Sequence, residues 1–86
     1  MKQITYKIKN TAGFHARPAA LLVSAAMRFK SSVIVQKDEK KTNLKSLLGL
    51  LGLGVCRNDV ILITAEGEDE ADALNEIIGL IDSFEC

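Results

Sequence analysis

Alternating apolar and polar positions at the start of the chain predict a β-strand with one buried face. Ile4, Tyr6 and Ile8 alternate with threonine and lysine, and this two-residue period is typical of a half-exposed strand. A continuous apolar run over 60–65 predicts a central strand. Its one polar residue, Thr64, indicates that the residues facing the core are Ile61, Ile63 and Ala65.

The β-branched run 33–35 and the segment 42–44 predict two further strands, joined as a hairpin. We place Asp38 and Glu39 at the tip of the turn, although no Asn-Gly or Asp-Gly pair marks it. The lysines around the turn are typical of a solvated sheet edge.

Helical periodicity predicts a first helix over 16–27 and a last helix that begins after Asp69. Pro18 fixes the start of the first helix, because proline is tolerated in the first turn, where its missing N–H would have no intrahelical partner. Asp69 is the expected cap of the last helix. The inward-facing residues are expected to be Ala19, Leu22, Val23 and Ala26 in the first helix and Leu74, Ile77, Ile78 and Ile81 in the last. The outward-facing residues of the first helix are expected to be Ala20, Leu21, Ser24 and Met27.

A leucine-rich segment over 45–55 contains three glycines and predicts a short helix of about two turns. We expect Ser46 to cap this helix and Gly52 or Gly54 to end it. The segment is too short for a membrane span, which takes roughly 20 apolar residues. Its five leucines cannot all face inward from so short a helix, so some should be exposed, as at a partner-binding surface.

The predicted order β-α-β-β-α-β-α indicates an α+β fold of two layers. We expect a four-stranded, mostly antiparallel sheet with the three helices on one face. Residues 1–86 are expected to form a single domain, because this length supports one hydrophobic core.

Charge and composition exclude several classes of protein. Eleven basic and eleven acidic residues give a formal net charge of zero, so no bulk field argues for binding to nucleic acid or to an anionic membrane. The start of the chain has no long apolar run, and we therefore expect a cytoplasmic protein without signal peptide or membrane insertion. Cys56 and Cys86 form no CxxC pair and are expected to remain thiols. A zinc site built from both cysteines and His15 is a weaker alternative.

The candidate chemistry lies where the first strand gives way to the first helix. His15, the only histidine, is expected at or next to the N-cap, with Arg17 in the first turn. Gly13 is expected to adopt a positive φ and to let the backbone approach whatever binds at His15. Natural helices favour acidic side chains at this end, whereas here two potential cations lie where the helix dipole is already positive. A phosphoryl group on a nucleophilic His15 would compensate this concentration of positive charge. The backbone N–H groups and Arg17 would hold its oxygens.

The same stretch lacks the other parts of an enzyme. The sequence has no second histidine, no carboxylate over 10–20, no Walker loop and no metal-ligand cluster. Helix-end stabilisation of about 0.3–1 kcal/mol per charge would hold a phosphoryl group without trapping it. A carrier loaded by a partner is therefore favoured over a stand-alone enzyme, and no cofactor is expected. The simpler interpretation stays open: His15 as a capping or surface residue, Arg17 as a solvated side chain and Ser46 as an N-cap alone.

Three stretches resemble one protein family. The sequence Asn-Thr-Ala-Gly-Phe-His-Ala-Arg-Pro-Ala-Ala at 10–20 is similar to the active-site signature of HPr. HPr is the histidine-containing phosphocarrier protein of the bacterial phosphoenolpyruvate-dependent sugar phosphotransferase system. The stretch 43–49 resembles the regulatory serine segment of that family, and 64–71 resembles its last strand-to-helix junction. The resemblance covers essentially the whole chain without gaps.

The resemblance implies an open-faced β-sandwich that accepts a phosphoryl group from phosphorylated enzyme I on Nδ1 of His15. It would pass the group to sugar-specific IIA domains, with Arg17 steadying the phosphoryl oxygens. It further implies that an ATP-dependent HPr kinase phosphorylates Ser46 and so weakens docking. The residues expected to contact partners are Ala16, Ala20, Leu47, Leu48 and Leu51.

The chain departs from the family at positions that concern partner binding. Leu48 and Leu51 stand where the family often has methionine, and this change keeps the apolar patch. Ser24 and Met27 stand where the family often has one or two basic residues. Electrostatic steering would then fall to Arg17, Lys45 and Lys40.

Two other functions remain open at the level of sequence. One is a regulatory protein that acts mainly through Ser46 and the leucine patch, and the other is a paralogue in a phosphorelay that does not serve sugar transport. A small enzyme unrelated to this family is the weakest alternative, because the chain offers no general base near His15.

Overall fold

The computed structural model describes residues 1–9 and 13–84. Its sheet has four strands, in the spatial order β1-β4-β2-β3, and every neighbouring pair is antiparallel. The strands are β1 (Lys2–Lys7), β2 (Ser32–Lys37), β3 (Lys40–Asn43) and β4 (Val60–Glu66). The predicted element order and the antiparallel sheet are both confirmed.

Three helices cover one face of this sheet: α1 (Ala16–Ala26), α2 (Leu47–Gly52) and α3 (Glu70–Asp82). The core lies between the two layers, and its sheet side includes the buried Ile61, Ile63 and Ala65 of β4, as predicted. The alternate residues of the central strands, such as Ile34 and Leu62, line the open face. Successive side chains of a strand point to opposite faces of the sheet, so one set of β4 residues is buried under the helices and the other lies on the open face. β4 is an interior strand, with β1 on one side and β2 on the other.

The hairpin between β2 and β3 has its turn at the predicted position, Asp38 and Glu39. Lys37 pairs with Lys40, so Asp38 and Glu39 make a two-residue connection. Asp38 takes a φ of 55°, a conformation that aspartate tolerates better than most residues.

The leucine-rich segment forms α2, which runs from Leu47 to Gly52. Leu50 is fully buried and Leu53 is nearly so, while the remaining leucines stay partly or largely exposed. Within residues 1–9 and 13–84, no helix has both the length and the apolar character that a membrane crossing requires.

The first strand meets its prediction only in part, because it lies at the edge of the sheet and pairs with β4 alone. Ile8 is buried just after the strand ends, but Ile4 remains 37% exposed. The Tyr6 hydroxyl donates a hydrogen bond to Asp82 at the end of α3. Burial and this hydrogen bond together raise the pKa of Tyr6 to about 12, so the phenol stays protonated and continues to donate at neutral pH.

Asp69 occupies the predicted N-cap position of α3, but its carboxylate does not cap that helix. It accepts hydrogen bonds from the backbone N–H groups of Lys30 and Ser31, both at 2.9 Å, and from the Ser31 hydroxyl. Glu70 accepts instead from the N–H of Gly67, at 3.2 Å. Asp69 therefore fastens the segment between α1 and β2 to the start of α3.

The pH dependence of stability is expected to reflect Asp69. Hydrogen bonds from Ser31 and the backbone lower the pKa of its carboxyl from 3.8 to about 2. This stabilisation is therefore present above about pH 4 and is lost as the pH falls towards 2. We expect Asp69→Asn to lower Tm by several degrees at neutral pH, with the gap to the wild type closing below pH 4 in thermal melts.

The control for this experiment is Asp38→Asn in the exposed hairpin, where asparagine tolerates the positive φ. This variant should melt close to the wild type across the same pH range. A Tm difference for Asp69→Asn that stays constant down to pH 2 would contradict the ionic origin of the effect.

Candidate functional site

His15 stands at the N-cap of α1 with an extended backbone, at φ −83° and ψ −174°. Its carbonyl oxygen accepts the first intrahelical hydrogen bond, from Ala19 N at 3.0 Å. Its exposed imidazole does not cap the helix and makes no hydrogen bond to the residues that the structure describes. The ring is therefore open to a molecule that approaches from solvent.

The first turn of α1 presents positive potential beside this imidazole. The N–H groups of Ala16 and Arg17 precede Ala19, the first intrahelical donor, so the helix offers them no acceptor, and Pro18 contributes no N–H. This turn contains no acidic side chain, and its one charged group is the exposed guanidinium of Arg17. The arrangement predicted from the sequence is present, and it can accommodate an anion next to His15.

Gly13 adopts the expected positive φ, at 62°, and its backbone approaches another part of the chain closely. Its backbone lies against the segment 55–56, and an added Cβ would be 2.3 Å from the Val55 carbonyl oxygen and 2.7 Å from Cys56 Cα. The next residue, Phe14, donates its N–H to the same Val55 oxygen at 3.0 Å. The glycine thus allows a close approach within the chain, directly before His15. The rest of the predicted turn, residues 10–12, lies outside the described part of the chain.

The segment that holds Gly13 is itself fixed by an ion pair that the sequence pattern did not indicate. Lys37 Nζ lies 2.9 Å from Asp59 and donates to the Gly54 carbonyl at 2.7 Å. Asp59 also accepts the N–H of Cys56 at 2.7 Å. The hydrogen bond between the two charged side chains raises the pKa of Lys37 and lowers the pKa of Asp59. These contacts hold the loop whose Val55 carbonyl positions the start of the site.

A groove beside His15 lies between the start of α1 and the end of α3. Phe84 meets Phe14 edge to face, with ring centroids 6.5 Å apart and planes at 87°. The groove has a volume of about 470 Å³ and is lined by His15, Arg17, Pro18, Leu21, Leu80, Ser83 and Phe84. Sequence reasoning missed the last three of these residues, because only folding brings the end of α3 to the start of α1.

Ser46 forms the predicted N-cap of α2. Its side-chain oxygen accepts a hydrogen bond from Gly49 N at 3.1 Å, and the residue is exposed. A neutral residue with this contact is sufficient to begin the helix. Its geometry also leaves the serine accessible at the surface.

The residues predicted to contact partners lie on the outer surface of the helical layer. Ala16 and Ala20 are exposed on α1. On α2, Leu47 is 39% exposed, Leu48 84% and Leu51 36%. α1 and α2 pack against each other, and each of these residues is on a solvent-exposed side of its helix.

Nothing supports the zinc alternative within the described residues. Across 1–9 and 13–84, no group of three or more metal-ligating side chains is close enough to hold an ion. Cys56 is an exposed free thiol. The other cysteine of that hypothesis, Cys86, lies outside the described residues.

Comparisons with known proteins agree with this geometry. A family model described as "PTS HPr component phosphorylation site" matches residues 2–83. The HPr-like protein Crh of Halalkalibacterium halodurans is 42% identical over 81 residues, which are 94% of each chain. The crystal structure of HPr-C-His from Thermoanaerobacter tengcongensis is 48% identical, with a TM-score of 0.93 over 96% of this chain and 93% of that chain. The solution structure of Crh, described as the catabolite repression HPr of Bacillus subtilis, is 42% identical, with a TM-score of 0.68 over 96% of this chain and 99% of that chain. Sequence and fold therefore agree that this chain belongs to the HPr family of phosphocarrier proteins.

Proposed function

We propose that this protein accepts a phosphoryl group on His15 from phosphorylated enzyme I and passes it to sugar-specific IIA domains during sugar uptake. One observation carries the proposal. The exposed imidazole at the N-cap of α1 lies beside open N–H groups and Arg17, with no hydrogen bond to a described residue. A nucleophile in that position can be loaded and unloaded by partners that approach from solvent.

Both exchanges are in-line displacements between histidine nitrogens. The lone pair of His15 Nδ1 attacks phosphorus while the bond from phosphorus to the donor nitrogen breaks, so one N–P bond replaces another. The phosphoryl oxygens face the N–H groups of Ala16 and Arg17, and the guanidinium of Arg17 pairs with them. Positioning and electrostatics provide most of the rate in such a transfer.

The partners supply the rest of the catalytic machinery. We propose that the 86 residues act as one domain in the cytoplasm, without a cofactor and without catalysing a reaction alone. Each transfer then needs a protein that covers His15 and excludes water from the phosphoryl group.

Incubation with phosphoenolpyruvate and enzyme I tests the carrier function directly. We expect one phosphoryl group per chain by intact-mass spectrometry, labile in acid and stable in alkali, as a phosphohistidine is. The group should then move to a IIA domain added to the mixture. No incorporation, or an acid-stable linkage alone, would contradict the proposal.

Phosphorylation of Ser46 by an ATP-dependent HPr kinase is proposed as the regulatory switch. Ser46 is exposed at the N-cap of α2, directly before Leu47 on the apolar side of the helical layer. A phosphate would add about two negative charges there, and docking of a partner would have to desolvate them. The helix itself tolerates the modification, because its N-terminus favours negative charge.

Ser46→Asp is expected to raise the KM for enzyme I about tenfold while leaving Tm nearly unchanged. Aspartate caps a helix as well as serine does, so the added charge acts on docking and not on folding. Steady-state transfer assays and thermal melts measure the two effects. Ser46→Asn provides the neutral cap as a matched control, and its KM should lie within about twofold of the wild type. Equal KM values for the two variants would argue against an effect of charge.

A mainly regulatory role is the second candidate, and the similarity to Crh favours it. In this case the protein would act through Ser46 and the exposed leucines of α2, with little part in transport. Normal sugar phosphorylation in a reconstituted assay containing this protein would argue against it. Competition between enzyme I and donors of other phosphorelays would identify a paralogue that serves a different branch.

A further inference from the structure

We propose that Phe84 is a positioning residue for phosphoryl transfer at His15. It does not hold the phosphoryl group. Its ring packs against Phe14, and Phe14 directly precedes the N-cap of α1, from which the imidazole projects. The inference rests on the proposed function and gives the end of α3 a part in the rate of transfer.

Two hydrogen bonds hold the backbone on either side of the imidazole. The Phe14 N–H donates to the Val55 carbonyl at 3.0 Å, and the His15 carbonyl accepts from Ala19 N at 3.0 Å. The peptide group between Phe14 and His15 can still tilt, because the backbone dihedrals on its two sides can change in a compensating way. A fixed side chain at Phe14 removes that freedom, so the packing of this ring decides where the imidazole points.

Phe84 is the residue that covers the Phe14 ring from the end of α3. Phe14 is only 4% exposed, and the centroid distance of 6.5 Å lies within the range that edge-to-face aromatic pairs favour, about 4.5–7 Å. Phe84 itself is half-buried and packs against the core. Loss of its ring would leave a void beside Phe14 and allow that side chain to change rotamer.

The support behind Phe84 is well fixed. Its N–H donates to the Ile81 carbonyl at 3.1 Å, and the hydroxyl of the preceding Ser83 donates to the Leu80 carbonyl at 2.6 Å. The hydrogen bond from Tyr6 to the last residue of α3 fastens the same end of the helix to β1. The ring of Phe84 therefore gives Phe14 a rigid surface to pack against.

The transfer reaction is sensitive to small movements at this place. The Phe84 ring and the imidazole of His15 line the same groove, together with the Arg17 side chain. An in-line displacement needs the attacking nitrogen aligned with phosphorus, and a misplacement of about 1 Å can cost on the order of 10²-fold in rate. A smaller shift of His15, caused by a loosened Phe14, is expected to cost about tenfold.

Rapid-quench transfer from phosphorylated enzyme I to the full chain tests the inference. The measured quantities are the limiting first-order rate constant at saturating enzyme I and the enzyme I concentration that gives half of it. Phe84→Ala is expected to lower the limiting rate about tenfold, with the half-saturating concentration within about twofold of the wild type, because alignment and not docking is impaired. Phe84→Tyr keeps the ring and should restore the limiting rate to within about twofold.

Phe29 provides the matched control, since the chain has three phenylalanines. Like Phe84, it is half-buried and packs against the core, but it follows the opposite end of α1, a helix of 11 residues and about 16 Å. Phe29→Ala should lower Tm by several degrees, as Phe84→Ala does, yet leave the limiting rate within about twofold. All rates are measured at a temperature at which each variant is folded.

Phe84→Leu keeps the test decisive if the alanine variant does not fold. Leucine retains most of the buried volume but not the ring, so this variant should fold and lower the limiting rate about threefold.

Amide hydrogen exchange gives a readout that needs no partner. The Phe14 N–H is protected by its bond to Val55. In Phe84→Ala its exchange should accelerate at least about tenfold relative to that of Leu22 in the middle of α1, because the contact opens locally. In Phe29→Ala the ratio of the two exchange rates should match that of the wild type.

The outcomes separate this inference from the proposed function. An unchanged limiting rate or an unchanged exchange ratio for Phe84→Ala overturns the inference. An equal loss of rate in Phe29→Ala also overturns it, since the effect would then be general destabilisation. A rise in the half-saturating concentration alone would make Phe84 a docking contact and not a positioning residue. In each of these cases the wild type is still phosphorylated, so the carrier function stands. A wild type that takes up no phosphoryl group refutes the carrier function, and the inference with it.

Discussion

His15→Ala is expected to reduce phosphoryl uptake from phosphoenolpyruvate and enzyme I by at least about 10³-fold. His15 is the only histidine of the chain, so no other imidazole can replace it as the acceptor. Partner binding should persist, because the contacts proposed for docking lie on α1 and α2 and not on the imidazole. Intact-mass spectrometry after incubation with the donor measures the remaining incorporation.

The fold of this variant should be unaffected, which makes the loss of uptake interpretable. The imidazole is exposed and forms no hydrogen bond to a described residue, so its removal should change the free energy of unfolding by less than about 0.5 kcal/mol. His15→Gln is the matched variant, since it keeps a polar side chain but no nucleophile. Acid-labile phosphate on either variant would exclude His15 as the acceptor.

The elements of the fold were predictable wherever their signals are local. Pro18 fixed the start of α1, and Ser46 with the following glycines marked both ends of α2. In both helices a single residue limits the backbone or supplies a capping oxygen, so the sequence nearby is sufficient. The two-residue connection of the β2–β3 hairpin lies at Asp38 and Glu39, where we placed it although no Asn-Gly or Asp-Gly pair marks the turn.

Contacts between distant parts of the chain were not predictable from such signals. Asp69 has the sequence of a helix cap, yet its carboxylate bonds to Ser31, 38 residues away. Ile4 follows the pattern of a buried position, but β1 is an edge strand and leaves it partly exposed. Hydrophobic periodicity predicts whether a segment is a helix or a strand, but it does not predict which other segments pack against it.

The candidate site likewise combines features that the local sequence predicts with features that only the fold provides. The placement of His15 and Arg17 at a helix start followed from Pro18, and the roles of both residues remain predictions for the phosphorylation assay. The groove beside them depends on Phe84, which comes from the opposite end of the chain. The hydrogen bond from Lys45 to the Phe29 carbonyl is a further contact that only the fold reveals.

Gly13→Ala is expected to lower the free energy of unfolding by about 2–5 kcal/mol. An alanine at a φ of 62° is strained, which costs about 1–2 kcal/mol. Its Cβ would also overlap the Val55 carbonyl oxygen, at 2.3 Å, and both neighbouring atoms belong to the backbone. Relieving that overlap requires the loop to move, at a cost of about 1–3 kcal/mol. Urea denaturation measures the total.

Gly54→Ala separates these two causes. Gly54 has a similar φ, 66°, but no atom lies within 4 Å of the Cβ that alanine would add. This control should therefore show only the conformational cost, about 1–2 kcal/mol, and normal loading of His15. Gly13→Ala should also slow loading, because Phe14 loses its hydrogen bond to Val55 when the two segments separate, and the N-cap of α1 then shifts. Equal destabilisation of the two variants would mean that the 55–56 loop moves away from residue 13 at little cost in free energy. Its contact with Gly13 would then not position His15.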